Sequence, residues 1–304
     1  MSKLCFREIK KEDRALWADF ELKNKFADTT FTLLYAWKEH FRYELATYDK
    51  MVIIRENLGD ERYEYIVLGW TGKEELYTAL NKLCEDVEGD IILKYISEEQ
   101  LDSYRCIIEQ LGKTFKVNTK DIYSDYIYET EKFMSLEGGI NKQKRGNCNW
   151  LARNYPNIKF EMYTKDKYND CIKVFDSWCE WHSCDKCYYG CEREAFINVL
   201  EIYDPKIHMI GLSYINGKVA SFAVAQQISS EAVSYPFQKN ATKIRGLMYW
   251  LNREMAKKHD KIKYINLGED MGIKGITEDK SRLHPCMKLK KYTITIERRN
   301  MNRE

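Results

Sequence analysis

Apolar positions along this chain fall alternately into short runs that suit a strand and into stripes spaced for a helix. Leu4–Ile9 reads as a short strand. Lys10–Leu22 follows as a helix, with Leu16, Trp17 and Phe20 on one stripe. Thr29 or Thr30 can cap a second helix carrying Leu33, Leu34, Trp37 and Phe41. Strands are predicted at Arg42–Tyr48, Met51–Arg55 and Tyr63–Leu68, then a helix at Glu74–Cys84 and a strand at Asp90–Tyr95. Glu98–Leu111 is a helix whose apolar face holds Leu101, Tyr104, Ile107, Ile108 and Leu111. Strand signals return near Thr114–Val117 and Asp125–Tyr128.

The second half opens on a basic helical segment, Asn141–Tyr155. A strand at Ile158–Tyr163 and a helix over about Lys167–Trp181 follow. A cysteine-rich turn leads to a helix at Arg193–Ile202. Three strands come next, Ile207–Tyr214, Lys218–Gln227 and Ala232–Phe237. Asn216-Gly217 joins the first two, a hairpin signal because both turn positions need positive φ. The loop Gln238–Arg245 precedes a helix at Gly246–Lys258, then a strand at Ile262–Asn266, a short helix at Thr277–Leu283 and one final strand at Met287–Ile296. Strands and helices thus mix in both halves, an α/β (α+β) pattern of two tandem domains. Each has a mixed, mostly antiparallel sheet flanked by helices. The expected division is 1–128 and 129–304.

Length agrees, since 304 residues is about twice a common domain. Hydrophobic residues at 44% supply two cores, and four prolines exclude Pro-rich linkers. A formal charge of +2 argues against a strongly basic DNA binder. The charged start, Met1–Lys11, has no apolar signal core, and no window approaches a membrane span. With ten cysteines and no secretion signal, reduced thiols in a cytoplasm are expected. No GxxxxGK[ST], HExxH, GxSxG or GxGxxG is present, which removes local support for NTPase, zincin, serine hydrolase and Rossmann readings.

Three places carry candidate chemistry. The first is the loop and helix start at Lys243, Arg245 and Gly246. A helix N-terminus exposes unpaired N–H groups, a glycine admits close approach, and Arg grips phosphate in two-point fashion. A helix-starting glycine beside two solvated cations is the plainer reading. The second is Glu269-Asp270, just after a strand, where α/β sheets open their ligand crevice. A carboxylate there serves as a base if its pKa is raised; Asp270 also suits an ordinary cap. Tyr235, at a strand end, is a candidate acid or simply a buried ring. The third is Cys179, His182, Cys184, Cys187 and Cys191, five soft ligands in one stretch that suggest zinc or else packed, reduced thiols. Lys142, Lys144, Arg145 and Arg153 form a basic run that suits polyanion phosphates or a solvated helix face.

Several segments together resemble a bacterial family. They are Gln238-Lys239-Asn240-Ala241-Thr242-Lys243-Ile244-Arg245-Gly246 with Asn252 and Glu254 on the following helix, and Tyr264-Ile265-Asn266-Leu267-Gly268-Glu269-Asp270-Met271-Gly272-Ile273-Lys274-Gly275 with Lys280 and His284-Pro285. Thr30-Phe31-Thr32-Leu33-Leu34-Tyr35-Ala36-Trp37, Tyr126-Ile127-Tyr128 and Lys142-Gln143-Lys144-Arg145 belong to the same pattern. The chain resembles proteins similar to the C-terminal catalytic domain of phosphatidylglycerol lysyltransferase, over nearly its whole length. That resemblance implies a tandem GNAT fold related to the Fem aminoacyl transferases. Membrane-bound relatives move an aminoacyl group from charged tRNA to a lipid head group. It implies a donor, acyl-CoA or aminoacyl-tRNA, held near Lys243, Arg245, Gly246 and Lys280, and a small-molecule amine or hydroxyl acceptor. Two other functions stay open: a non-catalytic ligand-binding or regulatory protein on this fold, and a metal or redox sensor at Cys179–Cys191.

Overall fold

A computed structural model describes residues 3–182 and 191–298. They fold into two compact units. The first comprises residues up to Asp125 together with Glu269–Lys274 and the chain's end from Lys288. The second comprises Tyr126–Gly268 and Gly275–Met287. The chain therefore returns twice to the first unit after entering the second, which a contiguous division at 128/129 does not have.

The first unit begins with β1 (Arg7–Glu8) and a 3-10 segment at Lys11–Trp17. That segment differs from the expected α-helix over Lys10–Leu22. Asp13 ties it down early, accepting from the Lys10 backbone N–H and from the Arg7 guanidinium. Trp17, fully buried, donates its indole N–H to the Thr29 carbonyl. Helix α1 (Phe31–Ala36) is capped by Thr30, whose hydroxyl accepts the Leu33 N–H. The strands β2 (Tyr43–Tyr48), β3 (Met51–Gly59) and β4 (Arg62–Leu68) form an antiparallel meander. Helix α2 (Lys73–Asp86) then crosses to β5 (Ile91–Ile96), which runs parallel to β4. Helix α3 (Glu98–Gln110) and β6 (Thr114–Thr119) follow.

The sheet order is β1-β2-β3-β4-β5-β14-β6, where β14 (Tyr292–Glu297) is the chain's last strand. It enters antiparallel between β5 and β6. Its alternate residues Ile294 and Ile296 join the apolar core with Leu76, Leu80, Leu93 and Ile108. The single expected strand at Met287–Ile296 is thus two strands in two sheets, because Lys290 and Lys291 separate β13 (Met287–Leu289) from β14.

In the second unit, β7 (Asp125–Glu129) leads to helices α4 (Thr130–Ser135) and α5 (Lys142–Asn154), then β8 (Lys159–Met162) and α6 (Tyr168–His182). Helix α7 (Glu192–Glu201) precedes an antiparallel meander of β9 (His208–Ile215), β10 (Lys218–Gln227) and β11 (Ala232–Asn240). The hairpin at Asn216-Gly217 forms as expected, with φ of 50° and 76°. Helix α8 (Leu247–Lys257) crosses to β12 (Tyr264–Asn266), parallel to β11, and α9 (Lys274–Arg282) follows. The order is β13-β7-β12-β11-β10-β9-β8. Each sheet is mixed and mostly antiparallel, and helices flank it.

Both units repeat one local device. An antiparallel meander, a crossover helix and a parallel strand produce a pair that diverges after a few residues. In the first unit β4 and β5 pair at Glu64↔Ile92 and Tyr65↔Leu93 only. In the second, β11 and β12 pair from Ala232↔Tyr264 to Ser234↔Asn266. Just beyond, Tyr235 and Pro236 bulge opposite Ala225, where Pro236 has no N–H to offer the ladder. Among the described residues no helix is long and apolar enough to cross a membrane.

Because β14 completes the first core, Ile294→Ala is expected to lower the stability of the chain by about 2–5 kcal/mol in urea unfolding, the range for a large buried side chain cut to alanine.

Candidate active site

Within the first unit one ammonium gathers three carboxylates. Lys291 Nζ lies 2.7 Å from Asp28, 2.7 Å from Asp125 and 2.9 Å from Glu269. Each partner comes from a different part of the chain. Asp28 sits just before α1, Asp125 opens β7, Glu269 follows β12, and Lys291 stands at the entry to β14. Phe26 and Tyr95 cover the ammonium, with ring centroids 5.7 and 5.6 Å from Nζ. Burial works against the charge on Lys291, but Asp125, Asp28 and Glu269 outweigh it and hold its pKa well above the ordinary value.

One cation facing three carboxylates leaves an excess of negative charge in a site of low polarity. Glu269 absorbs that excess. Burial raises its pKa; Lys291 pulls it down; Asp28 and Asp125 push it up again. The net effect is a carboxyl at about 7 against an ordinary 4.5. The upward influences therefore win, and near neutral pH Glu269 exists in both protonation states. The side chains of Glu269 and Asp28 keep 24% and 28% exposure while Asp125 has none, so solvent reaches the cluster at those two carboxylates.

Asp270 points elsewhere. It is buried, and its carboxylate accepts the Gly272 N–H while its carbonyl accepts the Ile273 N–H. It holds the turn that leads into α9.

In the second unit, Tyr235 lies in the apolar core with Val233, Leu251 and Ile265, at 2% exposure. Burial pushes its phenol well above the usual range, and its hydroxyl makes no hydrogen bond among the described residues. Gly246 starts α8 at φ 81°. A Cβ built there would lie 2.5 Å from the Asn147 carbonyl oxygen, so the close approach this glycine permits is made by α5 of the protein itself. Arg245 donates to the Asn147 side chain at 2.7 Å and remains exposed, as does Lys243, whose Nζ lies 5.5 Å from the Trp181 ring centroid. Lys280 is half-buried and donates to the Leu267 carbonyl at 2.7 Å. Its own carbonyl accepts the Tyr128 hydroxyl. Of the basic run, Lys144 is buried on Asn141 and Arg145 donates to the Leu136 and Gly138 carbonyls. Lys142 and Arg153 face solvent.

Of the expected zinc ligands, Cys184 and Cys187 lie outside the described residues. His182 stacks on Trp178 at 4.2 Å, with Nδ1 2.9 Å from the Trp178 carbonyl oxygen. Cys179 is half-buried and Cys191 is exposed at the start of α7. No group of three or more such ligands suited to a metal occurs among the described residues.

Sequence reasoning pointed to Glu269 and missed Asp28, Asp125, Tyr95 and Lys291. Only one signal for them was present: Lys290-Lys291 interrupts an apolar run. Nothing in the sequence paired Lys291 with carboxylates drawn from distant segments.

Two mixed sheets, each with a diverging parallel pair, define a tandem GNAT-like protein. The pattern of phosphatidylglycerol lysyltransferase C-terminal domains matches residues 20–295, and the chain belongs to that family. L-PGS from Bacillus licheniformis is similar in structure, with a TM-score of 0.68 and 12% identity over 99% of this chain and 94% of that one. A conserved protein of unknown function from Bacteroides thetaiotaomicron has a TM-score of 0.85 and 24% identity, covering 97% of this chain and all of that one. These likenesses speak for the fold. An uncharacterised protein of Mycoplasmoides gallisepticum is 22% identical over 178 residues, 57% of this chain and 56% of that protein. The chain thus matches little more than half the length of that relative.

Two outcomes follow from the cluster and the helix start. Glu269 binds its proton more tightly folded than unfolded, so its contribution to stability is full below about pH 4.5 and is lost as pH rises through about 7. The stability of Glu269→Gln minus that of the native chain should therefore grow between those values and level off above, in urea titrations at each pH. Gly246→Ala should cost about 1–3 kcal/mol or more, from the left-handed backbone and the Asn147 contact, in thermal unfolding.

Proposed function

We propose that this chain is an aminoacyltransferase that moves an aminoacyl group from a charged tRNA to a small amine or hydroxyl acceptor. The near-neutral carboxyl of Glu269 carries the reading. A transfer of this kind needs a group that is partly deprotonated at working pH and still basic enough to accept a proton. An ordinary surface carboxylate is too weak a base, and Glu269 is a stronger one because burial and two neighbouring carboxylates disfavour its charge. In the step, the acceptor's oxygen or nitrogen attacks the ester carbonyl of the donor. Glu269 takes the acceptor's proton, the carbonyl–oxygen bond to tRNA breaks, and the released tRNA hydroxyl gains a proton. Lys291 is a positioning residue: it holds the Glu269 carboxylate and keeps its pKa from rising further.

Two observations favour charged tRNA over acyl-CoA. The Asn147 carbonyl occupies the close approach at Gly246 that a pyrophosphate would use. Lys243, Arg245, Lys142 and Arg153 remain exposed, as contacts along a phosphate backbone require. Family membership agrees, since the family is that of a lysyltransferase domain. The location that suits such a donor is the cytoplasm.

The expected result is transfer of a radiolabelled aminoacyl group from charged tRNA to an amine or hydroxyl acceptor. Its kcat/KM should rise with pH to a plateau above about 7, because the base works deprotonated. Glu269→Gln should lower kcat by about 10²–10⁴-fold and abolish that rise. A Glu269→Gln enzyme with undiminished turnover removes the base assignment. If millimolar acetyl-CoA raises the melting temperature while charged tRNA fails to bind at low salt, the donor is acyl-CoA instead.

A further inference from the structure

The first unit contains a cavity of about 330 Å³ at the fork where β4 and β5 part. That volume falls at the small end of ligand pockets. The place suits a ligand on general grounds, because parallel strands open a crevice beyond their carboxyl ends. Its wall runs from Ile66 to Leu68 on β4, on through Gly69 to Thr71 beyond the strand, and across to Tyr95 on β5.

Two features mark the cavity as built rather than left over. First, Tyr95 sits in a bulge: Lys94 and Tyr95 together face Thr293, and Tyr95 has φ 55°. A bulky aromatic residue rarely takes that left-handed conformation, and bulges of this kind re-aim side chains. Here the ring is turned to line the cavity on one side and to cover Lys291 on the other. Secondly, Gly69 has φ 84°, and a Cβ on it would come within 3.1 Å of Phe20 and 3.3 Å of the Lys50 carbonyl oxygen. The glycine lets Phe20 and Lys50 approach the end of β4.

The chemistry of the lining selects the ligand. Phe20, Trp70, Tyr95 and Tyr104 present flat apolar faces, and Trp70 and Tyr104 meet edge to face at 5.8 Å. Just before α2, Glu75 accepts the Thr71 and Gly72 N–H groups. Lys25 is paired with Glu99 at 2.8 Å. Lys23 and Lys50, both exposed at the rim, have no carboxylate within ion-pair distance among the described residues, and the lining carboxylates are Asp19 and Glu75. We propose that this cavity is a binding site for a small organic anion with a flat apolar body, its acid group held by Lys23 and Lys50 and its body laid against Trp70 and Tyr95. The site does not rest on the transferase reading.

The test uses the full chain with 8-anilinonaphthalene-1-sulfonate, an aromatic body carrying one sulfonate, followed by fluorescence. Saturable binding at one site per chain is expected. The double substitution Lys23→Gln/Lys50→Gln should weaken it about tenfold, and Leu16→Trp, which replaces a small aliphatic side chain of the cavity lining with a bulky indole, should abolish it. Lys261→Gln, in the second unit, and Glu269→Gln should leave it unchanged. Circular-dichroism melts confirm that each variant is folded. Binding that does not saturate, or that survives both the lysine pair and Leu16→Trp, overturns the proposal. Loss of transfer in Glu269→Gln with dye binding intact separates the two readings.

Discussion

The first unit is organised around the ammonium of Lys291. Burying a lysine is costly unless carboxylates surround it, and burying three carboxylates around one lysine is costly unless one of them can be neutral. The structure meets both demands at once. Lys291 stays charged, Asp125 is sealed against it, and Glu269 takes a pKa near 7. The partners lie at 28, 125, 269 and 291, so the cluster also ties the beginning, middle and end of the chain into one unit. The feature that gives Glu269 a chemically useful pKa is therefore the same one that brings the late segments back to the first core.

Each unit independently carries the same fork in its mixed sheet. A crossover helix returns the chain parallel to the end of a meander, and the pair separates after two or three residues. In the second unit the separation begins at the bulge of Tyr235 and Pro236, and the side chain released there is packed into the core. In the first unit the opening is a cavity lined by aromatic rings. The same topology thus yields a filled fork and an open one, decided by which side chains occupy it.

Gly246 shows how a single residue can carry two readings until its neighbour is known. A glycine with positive φ at a helix start can admit a ligand or another piece of backbone. Here the carbonyl of Asn147, far away in sequence, fills that space, and Arg245 binds the same residue's side chain. Lys280 is similar: as an exposed helix cation it would be free for a donor, but its ammonium donates to the Leu267 carbonyl.

By itself the sequence determined the elements and their order, because periodicity, caps and turn residues act over a few positions. Thr30 caps where expected, Asn216-Gly217 turns where expected, and the meander–helix–strand order appears in both halves. It also marked Glu269 by its place after a strand. Tertiary structure alone decided that Met287–Ile296 is two strands in two sheets, since the break at Lys290-Lys291 matters only once Lys291 finds its carboxylates. It decided too that Glu269, next to Asp270, has a raised pKa. Both are acidic and adjacent, but Asp270 is spent on backbone N–H groups while Glu269 faces two further carboxylates in a buried site. Electrostatic environment is set by groups that the fold draws from distant segments, and local pattern holds no record of them.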